Sequence, residues 1–319
     1  MTNPFIRILA TLVSAVMLLL VGAGGGKDHN VKSPESCRLN FAVLSDSHIE
    51  GNNTARYKVF AKSLRDVKRN QSGADAVVFL GDNTMNGNSM ENMLFHGTVS
   101  RELKGEKILP VLGNHDIGNG EGDYAALQSR WYAYTDTFFN LKLTTPYYYD
   151  VIDGCYFIVL GTEAHTSNTM TMTDDQLAWL GFVLEDAARS GRPVFVFSHH
   201  PERSARRANP DSPYSLTDIL SEYAETHDLF YFSGHTHRTL TKSSFSAYYN
   251  FPEINLPRLT ELQGDKDNEV FGGTGFGVEV EVYDTEVVVR GRNFYTGEWA
   301  ADNSGPIEAT YTLKNPIAH

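Results

Sequence analysis

Cysteine, basic charge and long apolar runs are all scarce in this chain. Its 319 residues include two cysteines, too few for a disulfide-rich framework or a cysteine zinc cage. Lysine and arginine number 27 against 39 aspartate and glutamate residues, a formal charge of -12. We therefore expect no tracking along nucleic acid, which requires a basic face. The 41% hydrophobic content excludes disordered and fibrous classes, and at this length one large globular domain, or at most two, is expected.

The first 36 residues have the composition of a leader. Arg7 precedes an uncharged apolar run at residues 8–21, and small residues follow at 22–24. This pattern is typical of a secretory signal, so residues 1–24 are predicted to be a signal peptide and residues 25–36 a flexible leader. The run is shorter than the roughly 20 residues that span a bilayer. We expect an exported protein (periplasmic, cell-surface or secreted) with no stable membrane span after cleavage; an uncleaved anchor is the alternative.

Export would place both cysteines in an oxidising compartment. Cys37 and Cys155 each shortly precede a predicted strand, which puts both at strand beginnings. A disulfide between them and two buried free thiols remain equally open on this basis. Either way, we expect a structural role.

The rest of the chain, residues 37–319, alternates buried strands with amphipathic helices. This alternation predicts stacked β-α-β units in an α/β fold. Thr173 and Gln176 have the spacing of a capping box before one helix. Near the carboxyl end, residues 276–282 and 286–290 flank a short turn and predict a β-hairpin. Apolar residues at helical spacing mark three helices: Tyr57, Phe60, Ala61, Leu64 and Val67; Leu177, Leu180, Val183, Leu184 and Ala187; and Leu216, Ile219, Leu220 and Tyr223.

Residue types that bind metals follow five of the predicted strands. In chain order they are Asp46 and His48, then Asp82, then Asn114, His115 and Asp116, then His199 and His200, and finally His235 and His237. Open α/β sheets bind ligands outside the carboxyl ends of their strands. Residues two apart in extended chain point the same way, so Asp46 with His48, and His235 with His237, are expected to converge.

The donor set suits borderline ions. Seven of these residues supply two carboxylates, one amide oxygen and four imidazoles: Asp46, His48, Asp82, Asn114, His199, His235 and His237. This set favours manganese, iron or zinc, whereas calcium and magnesium prefer oxygen almost exclusively. The set also exceeds what one tetrahedral ion needs. We therefore expect two divalent metal ions.

Taken in order, these motifs resemble the signature of the calcineurin-like metallophosphoesterases. The resemblance rests on Asp46-x-His48, Gly81-Asp82, Gly113-Asn114-His115-Asp116, His199-x-Pro201 and Gly234-His235-x-His237, which span residues 46–237. Each motif alone occurs by chance, but five in order after buried strands are specific. The resemblance implies a four-layer α/β/β/α sandwich and a small phosphate-ester substrate.

The resemblance also implies a role for each site residue. One ion would be held by Asp46, His48 and His237 and a second by Asn114, His199 and His235, with Asp82 bridging them. A hydroxide shared by the ions would attack the phosphate mono- or diester. His115 would protonate the leaving group, and Asp116 would orient His115 and keep it protonated.

Two substrate contacts are weaker predictions. His200 would line the pocket, and Arg203 follows the fourth motif closely enough to contact a phosphate, although a solvated charged loop is the alternative. Purple acid phosphatases have a metal-binding tyrosine three positions after the Gly-Asp aspartate, where this chain has Met85, so a coloured ferric centre is not expected. A non-catalytic binding module and a hydrolase of non-phosphorus esters are the alternative functions. The sequence leaves the oligomeric state open.

Overall fold

The computed structural model describes residues 37–70, 74–245, 249–262 and 274–317. The predicted signal and leader lie outside the described residues. The helices are α1 (Thr54–Asn70), α2 (Ser89–Glu102), α3 (Tyr124–Phe139), α4 (Asp174–Ala188) and α5 (Leu216–Thr226). The strands up to the middle of the chain are β1 (Leu39–Leu44), β2 (Ala76–Phe79), β3 (Ile108–Pro110), β4 (Tyr148–Ile152), β5 (Cys155–Val159), β6 (Met170–Met172), β7 (Val194–Phe197) and β8 (Ala205–Arg207). Those that follow are β9 (Leu229–Ser233), β10 (Glu253–Asn255), β11 (Phe276–Val282), β12 (Glu286–Asn293), β13 (Glu298–Trp299), β14 (Ala301–Asp302), β15 (Gly305–Pro306) and β16 (Glu308–Thr312).

Two large sheets form the centre of the fold. The first has the order β13-β12-β11-β1-β2-β3, with β16 also paired to β12, and the second has the order β10-β9-β7-β5-β4. Strands β1, β2 and β3 are parallel, as are β5, β7, β9 and β10. Within each parallel set the carboxyl ends therefore lie at one edge of the sheet, where the sequence places its polar motifs.

The two sheets pack face to face through a shared apolar core. Phe41 of β1 lies at its centre, with its ring centroid 4.9 Å from those of both Phe157 and Phe195 on the second sheet. Both contacts are edge-to-face, an arrangement that aromatic rings prefer. Full burial of a phenylalanine side chain contributes about 1.5–3 kcal/mol, so this aromatic cluster contributes substantially to the free energy that stabilises the packing of the two sheets.

The outer faces of the two sheets are covered by helices. Successive strand residues point to opposite faces, so Ala42 and Leu44 pack against α1 and α2 while Phe41 and Val43 face the other sheet. Helices α4 and α5 cover the second sheet in the same way. The result is helix, sheet, sheet, helix, which confirms the predicted four-layer α/β/β/α architecture.

The carboxyl-terminal hairpin completes the first sheet. β11 and β12 pair antiparallel from Phe276 opposite Asn293 to Val282 opposite Val287, which confirms the predicted hairpin and extends its second strand by three residues beyond Arg290. β11 also pairs antiparallel with β1. The hairpin therefore continues the sheet that carries the first three polar motifs.

The predicted capping box at helix α4 forms only in part. Thr173 accepts a hydrogen bond from the Gln176 backbone as expected. The Gln176 side chain, however, pairs with both backbone groups of Gly161, at 2.9 and 3.1 Å, and the Thr173 backbone instead donates to the Glu163 carboxylate at 2.8 Å. The Gln176 side chain therefore connects α4 to the loop after β5 instead of bonding the Thr173 backbone.

Both cysteines are free thiols in the structure. Cys37 lies just before β1 and Cys155 opens β5, so both are at strand beginnings as predicted. Burial raises the pKa of Cys37 to about 11 and that of Cys155 to about 12, which keeps both protonated and unreactive at neutral pH. Among the described residues, no helix combines the length and apolar character that a bilayer crossing requires.

Candidate metal centre

All seven predicted ligands meet at the carboxyl edges of the two sheets. The loops after β1, β2 and β3 supply four of them, and the loops after β7 and β9 supply three. These ligands are Asp46, His48, Asp82, Asn114, His199, His235 and His237. They form two adjacent clusters.

The first cluster contains Asp46, His48, Asp82 and His237, whose donor atoms all lie within 4.8 Å of one another. His237 Nε2 is 3.0 Å from Asp46 Oδ1 and 3.2 Å from His48 Nε2. His48 Nε2 is 3.6 Å from Asp82 Oδ2. Two donors that each bind an ion at about 2.1 Å lie about 3.0–3.4 Å apart, so this spacing fits one metal ion.

The second cluster is built around His199. Its Nε2 atom lies 2.9 Å from Asn114 Oδ1, 3.2 Å from His235 Nδ1 and 3.2 Å from Asp82 Oδ2. These spacings also fit one ion. Asp82 Oδ2 is therefore close to donors of both clusters, as a bridging carboxylate must be.

His200 lies against the second cluster. Its ring centroid is 4.4 Å from that of His235 and 5.0 Å from that of His199, and its donor atoms group with theirs. The residue is 1% exposed, and its Nε2 atom is 3.4 Å from the Ser167 carbonyl oxygen. The structure thus places His200 as a packing neighbour of two ligands rather than on an open pocket wall. Its substrate contact stays a prediction.

The ligand-bearing loops have an unusual backbone. Residues other than glycine rarely adopt a positive φ, because this backbone conformation costs about 1–3 kcal/mol per residue. Such strain persists only where surrounding structure imposes it, and it concentrates at functional sites. Five of the predicted ligands have a positive φ: Asp46 (φ 52), His48 (φ 41), Asp82 (φ 47), His235 (φ 67) and His237 (φ 51).

Glycines in the motifs permit the close approach of these loops. A Cβ atom at Gly113 would lie 2.0 Å from the Asp82 backbone nitrogen and 2.3 Å from Asp82 Oδ1. At Gly234 it would lie 2.0 Å from Ser45 Oγ and 2.5 Å from Asp46 Oδ2. Both positions exclude any side chain because the carboxylate ligands occupy that space.

The two buried carboxylates, Asp46 and Asp82, have lowered pKa values and are therefore charged, as cation ligands must be. Burial acts to raise the pKa of Asp46, but the hydrogen bond from His237 and the neighbouring His48 ring hold it well below its usual range. Burial likewise opposes the charge of Asp82, and the neighbouring His199 lowers the pKa of that carboxyl. Burial lowers the pKa of His48 to about 3, so this ring is neutral and its nitrogen lone pair is free for an ion.

His115 lies beside the first cluster, with its ring centroid 4.7 Å from that of His48. Its backbone N–H donates to Asp82 Oδ1 at 2.7 Å. Its Nδ1 atom is 2.7 Å from the Met85 carbonyl oxygen. A carbonyl only accepts, so Nδ1 carries the hydrogen and Nε2 is left for other chemistry. A cavity of about 440 Å³ opens next to this ring.

The predicted contact between Asp116 and the His115 ring is wrong. Asp116 Oδ1 accepts from the backbone and hydroxyl of Thr84, at 2.9 and 2.8 Å, and its Oδ2 accepts from the Gly113 backbone at 3.0 Å. The Met85 carbonyl oxygen orients the His115 ring instead. Asp116 joins the loop after β2 to the loop after β3. Burial, with the nearby Asp82 charge, raises the pKa of Asp116 to about 6.

Asn119 is a supporting residue that sequence reasoning missed. Asn114 Nδ2 donates to Asn119 Oδ1 at 2.9 Å, and the Asn119 backbone donates to the Asn114 carbonyl at 2.7 Å. These bonds turn Asn114 Oδ1 toward His199. Residues that fix the orientation of a metal ligand in this way tune its affinity. The flanking Gly118 and Gly120 signalled a turn, but nothing in the sequence pointed to this contact.

Comparisons with known proteins agree with this geometry. The sequence profile of the family described as Calcineurin-like phosphoesterase matches residues 39–239, well over half of the chain. No curated protein matches the sequence significantly. A dimetal phosphatase from Danio rerio has a similar structure, with a TM-score of 0.54 and 18% identity over 86% of this chain and 99% of that one.

A purple acid phosphatase from yellow lupin (Lupinus luteus) seeds is also similar, with a TM-score of 0.58 and 12% identity over 86% of this chain and 53% of the lupin chain. At these identities the likeness shows the fold, and the profile match shows the family. The chain belongs to the calcineurin-like phosphoesterases and is a metal-dependent phosphoester hydrolase.

Proposed function

We propose that this protein is an exported, dinuclear-metal phosphoesterase that hydrolyses phosphate mono- or diesters. The position of Asp82 carries the proposal. One carboxylate oxygen lies 3.6 Å from a nitrogen of the first cluster and 3.2 Å from a nitrogen of the second. A carboxylate shared by two donor sets is what a pair of neighbouring ions requires.

The two clusters divide the ligands between two ions. Asp46, His48 and His237 would hold one ion, Asn114, His199 and His235 the other, and Asp82 both. A donor set rich in imidazole favours manganese, iron or zinc. Two such ions would polarise the phosphoryl group and make a hydroxide nucleophile available near neutral pH.

His115 completes the proposed chemistry as the leaving-group acid. Its hydrogen bond to the Met85 carbonyl fixes the ring, so Nε2 is the atom that delivers a proton to the departing oxygen. The Asp82 carboxylate, bonded to the His115 backbone, holds this residue beside the clusters. A positioned acid of this kind accelerates ester cleavage by about 10²–10⁴.

Export rests on the composition of the leader. Residues 8–21 form the apolar run of the proposed signal, and residues 22–24 provide a cleavage site. Mass spectrometry of the protein recovered from cells would identify its mature amino terminus. Cleavage near residue 24 is expected, and an intact Met1 in an exported protein would contradict the proposal of a cleaved signal.

A substrate panel with metal reconstitution tests the enzymatic proposal. Aryl monoesters, aryl diesters, cyclic nucleotides and pyrophosphates would each be tested with manganese, iron, zinc and magnesium. Asp82→Asn should abolish turnover, because both clusters lose a charged ligand. Asp211→Asn, at an exposed position whose backbone bonds Asn209, is the matched control and should retain activity. Full activity of Asp82→Asn with bound metal would overturn the proposal.

A further inference from the structure

A second cavity, of about 180 Å³, lies between β10 and the loops that follow β7 and β9. We call it the arginine cavity. It is lined by two arginines and four hydroxyl side chains: Arg203, Arg238, Thr239, Thr241, Ser243 and Ser244. None of these residues is a predicted metal ligand.

The arginine cavity lies at the same edge of the second sheet as the metal ligands. Arg238 directly follows the ligand His237. Asn255, at the end of β10, also lines the cavity, and its side chain donates to the Gly234 carbonyl at 2.9 Å. The cavity and the ligand loop after β9 are therefore one continuous structure, at the strand ends where α/β sheets bind their ligands.

The lining is positively charged in a protein whose formal charge is -12. The exposed Arg238 guanidinium has no hydrogen-bond or ion-pair partner within the described residues. One carboxylate, Glu253, also lines the cavity, but it is buried and its Oε1 accepts bonds from the Glu202 backbone and the Ser233 hydroxyl, both at 3.2 Å. Two guanidinium groups against one carboxylate leave a net positive lining.

The chemistry of this lining matches a phosphate group. Guanidinium groups bind phosphate oxygens through paired, charge-assisted hydrogen bonds, and hydroxyl groups add further donors. The Thr241 and Ser243 hydroxyls are hydrogen-bonded to each other at 2.8 Å, so one of the two keeps its hydrogen to donate to an anion beside them. The volume is below the roughly 300 Å³ at which pockets for drug-sized molecules begin, so the cavity suits a single anionic group.

We propose that the arginine cavity is a phosphate subsite beside the metal centre. The phosphate comes from one of two sources: a second phosphate group on the substrate, or free phosphate acting on the enzyme from this subsite. The first source makes a bisphosphorylated ester the preferred substrate class and rests on the proposed function. The second requires only the cavity itself.

Two measurements on the metal-loaded protein distinguish these sources. The first compares kcat/KM for 1,3-propanediol bisphosphate with that for 1,3-propanediol monophosphate. The second counts bound inorganic phosphate by equilibrium dialysis. Each is made with wild type, Arg238→Met and Arg206→Met. Arg206 is the matched control because it is an exposed arginine of β8 that does not line the cavity.

Loss of a charged hydrogen-bond partner is expected to reduce the preference for the bisphosphate by about 10- to 100-fold in Arg238→Met. If the substrate supplies the phosphate, this preference falls and one equivalent of bound phosphate is lost. If free phosphate is the ligand, the equivalent is lost while the preference is unchanged. Arg206→Met should behave as wild type in both measurements.

Unchanged preference together with unchanged phosphate stoichiometry in Arg238→Met would overturn the subsite. Failure of the proposed function would look different, because wild type would then turn over neither ester. The dialysis count would still test the cavity in that case, since phosphate bound elsewhere is common to wild type and the variant and cancels in the comparison.

Discussion

Replacement of His115 by asparagine should slow hydrolysis by an amount that depends on the leaving group. The variant loses the ring Nε2 atom that we assign as the proton donor. It retains the backbone N–H that donates to Asp82 Oδ1 at 2.7 Å, so both metal clusters should stay assembled. The change therefore removes the acid and little else.

The expected magnitude follows from the need for a proton. An alkoxide leaves poorly without protonation, so alkyl phosphates should lose about 10²–10⁴ in kcat, equivalent to about 3–5 kcal/mol of transition-state stabilisation. A 4-nitrophenolate leaves readily as an anion, so its ester should lose less than about tenfold. The assay is kcat for a series of esters that differ in leaving-group pKa, with metal content measured for each protein.

The control is His227→Gln. His227 stacks on Tyr223, with ring centroids 4.6 Å apart, at the end of α5 and has no place in the metal clusters. This variant should show the wild-type dependence on leaving group. If His115→Asn retains its metal and slows alkyl and nitrophenyl esters equally, the assignment of His115 as the acid is refuted.

Three further predictions concern the support of the site and the stability of the fold. Asn119→Gly keeps the backbone conformation, because glycine tolerates the positive φ of 53°, but it loses the acceptor that holds Asn114. Metal affinity at one site, measured by chelator competition, should fall about 10- to 100-fold. Asn119→Asp keeps an acceptor oxygen and should bind metal more tightly than Asn119→Gly. Gly113→Ala would place a Cβ atom 2.0 Å from the Asp82 backbone and should lower bound metal as measured by mass spectrometry; Gly181→Ala, in α4 with no atom within 4 Å of the new Cβ, should instead stabilise the protein by about 0.5–1 kcal/mol. Burial raises the pKa of Glu279 from 4.5 to about 7, so the contribution of this side chain to stability is greatest below about pH 4.5 and is lost as pH rises through 7. In urea unfolding, Glu279→Gln should therefore gain stability relative to wild type between pH 5 and pH 8, by at most about 3 kcal/mol. A stability difference that does not vary with pH would rule out this role for Glu279.

The fold was largely predictable because its local signals agree. Apolar period-two and helical patterns alternate along the chain, and each predicted helix and the final hairpin formed where the pattern placed it. Gln176 is the exception. Its cap geometry is local, but Gly161 lies in the loop after β5, and only the folded chain brings the two residues together.

The membership of the site was also predictable, whereas its fine geometry was not. The seven predicted ligands follow strand ends in the sequence, and all seven meet in the structure. The bonds of Asp116 to Thr84 and Gly113 depend on how two loops pack, and so does the bond between Asn114 and Asn119. The positive φ values of the ligands likewise arise from tertiary contacts that no sequence pattern records.

In the proposed function, Asp82 joins two ions in one centre. Crystallographic anomalous scattering from the metal-loaded protein measures this directly, by counting the ions and locating them. We expect two ions about 3.5–4 Å apart, one in each cluster, with Asp82 between them. A single ion, or two ions without Asp82 between them, would contradict it.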